Sequence, residues 1–125
     1  PISNSNGAVQ GGRLRRFRAT ITLASQADGD TVVLAQVPAG YAFAYGILNA
    51  SATLGSSTIA VGIAGTAAKY RAAATFTAAA PTLFGVSTAV DDAPLSAQET
   101  VILTNTTAAL PSSGTLIVDL YFSAP

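Results

Sequence analysis

Apolar and polar positions alternate with a period of two along most of the chain, and turn residues break the alternation roughly every 10–15 residues. From Arg13 onward, Phe17, Ala19, Ile21 and Leu23 fall on one face, and Arg16, Arg18, Thr20 and Thr22 on the other. That pattern predicts a half-buried strand. Ala27-Asp28-Gly29-Asp30 supplies turn chemistry, and the β-branched run Thr31–Val37 predicts a second strand. Pro38-Ala39-Gly40 closes it, because proline sets φ and glycine accepts a positive φ. Next, Tyr41, Phe43, Tyr45 and Ile47 alternate with Ala42, Ala44, Gly46 and Leu48. This predicts a strand with aromatic residues on one face and small ones on the other.

A loop around Gly55 precedes Ile59, Val61 and Ile63, which alternate with Ala60, Gly62 and Ala64 until Gly65-Thr66 ends the strand. Residues 67–80 carry conflicting signals. Ala67-Ala68-Lys69-Tyr70-Arg71-Ala72-Ala73-Ala74 has high helix propensity, whereas Tyr70 and Thr75-Phe76-Thr77 suit an extended segment. A strand or irregular crossing with one helical turn is the expectation. A short strand at Leu83–Val86, a turn at Asp91–Pro94 and a strand at Glu99–Asn105 with Val101 and Leu103 on one face follow. After a turn-rich loop over Ala108–Gly114, Thr115–Phe122 closes the chain. There, Leu116, Val118, Leu120 and Phe122 point one way, and Ile117, Asp119 and Tyr121 the other. Seven to eight short strands at this spacing predict an all-β antiparallel sandwich. Residues 1–12 hold Ser, Asn, Gly and Gln with isolated Ile2, Ala8 and Val9, and read as an extended N-terminal arm ahead of a single domain over 13–125.

Composition narrows the function. The chain has no Cys, His, Met or Trp, and only 10% of its 125 residues are charged, against roughly 25% in an ordinary soluble domain. Ala, Thr, Ser and Gly make up half of it. Without Cys or His there is no zinc finger, thiol nucleophile, disulfide framework or Ser-His-Asp triad. No cofactor is implied. Zero net charge argues against a dedicated nucleic-acid binder. Ser, Thr, Gly or a charge interrupts every apolar stretch, which argues against a membrane span. The start at Pro1 lacks the basic and apolar regions of a signal peptide, so synthesis in a cytoplasm is expected. So uncharged a surface suits a domain that lives against other protein.

The charges that remain are unevenly placed. Arg13, Arg15, Arg16 and Arg18 leave the first 18 residues at +4 and the rest at −4. Guanidinium groups suit interface ion pairs; the same arginines also suit a solvated edge strand protected from further pairing. Ile2, Val9 and these four arginines are the candidate contact residues. Asp28, Asp30, Asp91 and Asp92 offer oxygen ligands but not the spacing of a calcium loop. Glu99 and Asp119 are the strand-borne carboxylates that a glycoside hydrolase would need as a pair, without the expected sugar platform. Asn49-Ala50-Ser51 and Asn105-Thr106-Thr107 match a glycosylation acceptor, and Gly62-Ile63-Ala64-Gly65 lacks the Lys-Ser/Thr ending of a phosphate loop. Tyr41, Phe43 and Tyr45 suit either a core or a sugar platform.

Thr31–Gly40, Tyr41–Leu48, Ser57–Thr66 and Lys69-Tyr70-Arg71-Ala72-Ala73 together resemble the small β-rich virion proteins of tailed bacteriophages. The likeness spans roughly residues 20–122 and lies in texture and strand order. Such proteins decorate and cement heads or form bases for head fibres and spikes. The resemblance implies a jelly-roll-like sandwich, often a homotrimer, on a capsid lattice. On that expectation the protein is not an enzyme. Its partners are the major capsid protein and further copies of itself, its place is the capsid surface, and it is made in the host cytoplasm. A receptor- or glycan-binding sandwich and a ring-forming tail or neck protein remain as alternatives.

Overall fold

A computed structural model describes residues 13–77, 80–86, 88–89 and 94–124. These form eight strands: β1 (Arg13–Thr22), β2 (Thr31–Val37), β3 (Ala42–Ala50), β4 (Thr58–Ile63), β5 (Thr66–Thr75), β6 (Thr82–Phe84), β7 (Glu99–Thr106) and β8 (Thr115–Ala124). The arm predicted over residues 1–12 and the turn predicted at Asp91-Asp92-Ala93 lie outside the described residues. One sheet has the order β1-β8-β3-β6 and the other β2-β7-β4-β5, with every pair antiparallel. The ladders β1–β8, β2–β7, β3–β6 and β4–β5 are those of one long hairpin. Placing alternate ladders in opposite sheets brings β8 onto β3 and β7 onto β4.

The tip of that hairpin is a two-residue turn. Ile63 pairs with Thr66, and Gly65 takes φ +85°, a left-handed conformation that glycine adopts without steric cost. Gly62, one residue inside the turn, serves a different need. A Cβ there would overlap the backbone carbonyl oxygens of Thr66 and Ala67, which cannot swing aside as a side chain would. Gly62→Ala is therefore expected to destabilise the fold by about 1–3 kcal/mol, a typical overpacking cost. Urea unfolding that showed no loss would contradict this close approach.

The alternation in β1 and β8 appears as predicted. Ile21, Leu23, Leu116, Val118, Leu120 and Phe122 are buried, and Arg16, Arg18, Thr20 and Thr22 face outward. The core lies between the sheets, where Phe122 is fully buried. Its ring meets Phe17 and Phe43 edge-on at 5.7 and 5.4 Å, and Tyr70 from the opposite sheet at 5.9 Å. Edge-to-face contacts of this kind add to the burial of the rings.

Two expectations are corrected. First, the aromatic residues of β3 do not share one face. The register of β3 on β8 shifts between Phe43 and Tyr45, so Phe43 points into the core while Tyr45 turns outward and stacks on Tyr121 at 4.7 Å. A bulge inserts one residue and flips everything beyond it, which moves Gly46 and Leu48 inward and Ile47 outward. Second, the strand expected within residues 67–80 is present as Thr66–Thr75, but without the helical turn. Helix propensity is a weak prior, and pairing with β4 plus burial of Tyr70 beside Phe43 at 4.5 Å outweigh it. β4 is the strand its alternation predicts, and Ile59, Ala60, Val61 and Gly62 are all buried, the small Ala60 and Gly62 being screened by the flanking strands β7 and β5.

Candidate functional site

β1 is an edge strand, and its period of two decides what each arginine does. Phe17 and Ala19 face inward, so Arg16 and Arg18 lie on the outer face of the β1 sheet. The register sets Arg18 opposite Asp119. Its Nε donates to Oδ1 at 2.8 Å and its Nη2 to Oδ2 at 2.9 Å, a two-pronged contact that suits a planar guanidinium. The hydrogen bond and the charge of Asp119 push the Arg18 pKa up. Arg18 is thus already engaged within the chain. Arg13, Arg15 and Arg16 are exposed and have no acidic partner among the described residues. Ile2 and Val9, the apolar candidates, lie outside the described residues.

Across the outer face of this sheet the registers align Arg16, Tyr121 and Tyr45 in one row and Arg18, Asp119, Ile47 and Leu83 in the next. Ile117 follows between Thr20 and Asn49. Tyr45, Ile47, Ile117 and Tyr121 are half-buried, whereas Leu83 is 69% exposed. Arg18 and Asp119 neutralise each other in the middle. The face is therefore largely apolar with one cation unpaired among the described residues, Arg16, at its edge. The sequence showed only part of this patch: Ile117 and Tyr121 were legible as the second face of β8, while Tyr45 and Ile47 reach it through the bulge.

A second cluster sits at the other sheet. A cleft of about 220 Å³ is lined by Phe43, Lys69, Tyr70, Leu95 and Glu99, among others. The Tyr70 hydroxyl donates to Glu99 Oε1 at 2.6 Å, and Lys69 Nζ donates to Glu99 Oε2. Burial first, then the bond to Glu99, pushes the Tyr70 pKa up from 10.0. A group whose pKa is raised on folding contributes its stability fully below the unfolded pKa and loses it as pH rises. The melting temperature is therefore expected to fall steeply above about pH 10. Tyr70→Phe should melt lower at neutral pH, yet show a shallower alkaline fall. Parallel curves for the two proteins would remove Tyr70 as the cause.

Nearby, Arg71 plays a part the sequence did not disclose. Its guanidinium donates to the carbonyls of Ile59, Ala74 and Thr75, holding β5 where its register on β4 is irregular. Burial lowers its pKa.

Other candidates separate. Glu99 and Asp119 lie on different sheets, each in its own ion pair, so they form no hydrolytic pair. Asp28 and Asp30 are exposed in the β1–β2 turn, where Asp30 Oδ2 accepts from the Ala27 amide at 3.0 Å. No group of three or more metal-ligating side chains occurs among the described residues. Asn105 is fully buried and its Nδ2 donates to the Ala27 carbonyl at 3.0 Å, so this acceptor match is closed to a glycan. Phe43 is core, Tyr41 packs against the core, and one ring face of Tyr45 is covered by Tyr121.

No family model and no curated protein matches the chain. Solved structures do. A chain of the capsid asymmetric unit of cyanophage Pam1 superposes with a TM-score of 0.75 at 17% identity, covering 97% of this chain and 91% of that one. A chain of the capsid of Ralstonia phage GP4 gives 0.73 at 21%, covering 91% and 86%. One from the acid-stable capsid of Helicobacter pylori bacteriophage KHP30 gives 0.63 at 13%, covering 90% and 89%. At these identities the likeness is one of fold alone.

Proposed function

We propose that this chain is a structural protein of a phage virion that binds the outside of the capsid and reinforces it without covalent chemistry. The observation that carries the reading is the fold likeness, nearly end to end, to chains of three phage capsids. The folded-hairpin strand order supports a jelly-roll-like form, since eight strands in two such sheets are the jelly-roll plan. In this reading Arg13, Arg15 and Arg16 contact the acidic surface of the shell protein, and Arg18 stays on Asp119 to hold β1 in the sheet. Residues 1–12, with Ile2 and Val9, engage neighbouring protein, and the copies are trimeric. A lattice makes many weak contacts act together, so no single one has to be strong.

The buried Phe43 and the packing of Tyr41 against the core weigh against the glycan-binding alternative, which needs an open aromatic platform. The test is incubation of purified protein with empty phage heads, followed by sedimentation and cryo-EM. Density on the outer shell at a repeated site is the expected result. Failure to co-sediment, or density confined to the neck or tail, would overturn the proposal.

A further inference from the structure

We propose that the outer face of the β1 sheet is the seat for residues 1–12 of a second copy of this chain. The face offers Tyr45, Ile47, Leu83, Ile117 and Tyr121 with its central charges cancelled by the Arg18–Asp119 pair. An apolar face of this kind is covered most cheaply by a segment that brings no charge, because no ion then loses its water. Residues 1–12 contain no charged side chain and carry Ile2, Ala8 and Val9. The six residues after them include four arginines, so the change from uncharged to basic falls where the chain enters the sheet.

Length and point of attachment favour a second copy over the segment's own sheet. Arg13 pairs with Ala124 at the rim of the sheet, so a straight continuation of β1 carries residues 1–12 past that rim. Twelve extended residues reach about 40 Å, and four strands are about 14 Å across. A neighbour's segment can therefore span the whole face. The remaining sheet has a different coat: Thr31, Thr58, Thr100, Thr104 and Thr106 surround the aliphatic pair Val33–Ile102 on its outer side, with no comparable group of rings among the described residues.

The inference deepens the virion reading by naming which neighbour the N-terminal segment engages. Its test uses purified protein without phage heads, so failure of head binding and failure of this contact are read separately. The chain has no cysteine, so introduced thiols report cleanly. Full-length Ile2→Cys and Leu83→Cys proteins, one carrying a mass tag, are mixed under a glutathione redox buffer. The control pair is Ile2→Cys with Val33→Cys, since Val33 is 61% exposed on the other sheet. The mixed Ile2–Leu83 disulfide is expected to form about tenfold faster than the control, as local concentration dictates. Equal rates would overturn the proposal. So would a double Ile2→Cys/Leu83→Cys protein that closes its disulfide within one chain, even when diluted in excess cysteine-free protein.

Discussion

Phe122→Ala is expected to cost about 3–5 kcal/mol, the range for removing a large aromatic side chain from a packed core. Total stabilities of domains are about 5–15 kcal/mol, so this one change removes a large share. The size follows from position. Phe122 is fully buried and meets Phe17, Phe43 and Tyr70, so its ring joins strands of both sheets. Truncation leaves a cavity walled by rigid rings on opposing sheets, which cannot collapse without moving the sheets themselves. Tyr121→Ala is the comparison. That neighbour faces outward and loses only a half-buried ring and its stack on Tyr45, so about 1–2 kcal/mol is expected. Denaturant unfolding of both variants checks the pair. Equal losses would show that the aromatic cluster is not the keystone of the sandwich.

The triple variant Arg13→Gln/Arg15→Gln/Arg16→Gln is expected to weaken binding to phage heads by about 100-fold or more. Each guanidinium that meets a carboxylate contributes a charge-assisted hydrogen bond, and about 1.4 kcal/mol corresponds to a factor of ten. Stability should change little, because these three side chains are exposed and meet no acid among the described residues. Binding of the unaltered protein should fall as salt rises, while that of the triple variant should be nearly flat. Arg18→Gln should behave in the opposite way. It removes the partner of the buried Asp119, so the melting temperature should fall while folded protein still binds. Undiminished head binding by the triple variant at low salt would refute the role assigned to the arginines.

These two expectations rest on different kinds of information. The inward direction of Phe122 was legible because Leu116, Val118, Leu120 and Phe122 recur at every second position, and β8 keeps an unbroken register on β1. The exposure of the arginines was only half legible. Their clustering is plain in the sequence, but nothing local says that Arg18 alone has a partner. That partner, Asp119, is 101 residues away and is selected by the β1–β8 register. The apolar outer face was less legible still, since Tyr45 reaches it through an irregularity between Phe43 and Tyr45. Bulges carry no strong composition, and a single extra residue reverses which side chains face the core. Residues 67–74 show the converse case. Their alanines favour helix in isolation, and only pairing with β4 and the anchoring of Tyr70 and Arg71 make them strand.

By itself, then, the sequence determined the class: an all-β chain with period-two faces, turns at Asp28-Gly29 and Ala39-Gly40, and no residue types for thiol, imidazole or zinc chemistry. These are local properties, dictated by side-chain alternation and backbone freedom within a few residues. The tertiary structure alone decided the strand order, the pairing of Arg18 with Asp119, the side of the sheet on which Tyr45 emerges and the joining of Lys69, Tyr70 and Glu99. Each depends on contacts between residues far apart in the chain. The energy of such contacts comes from registers and burial that exist only once both sheets have closed on Phe122.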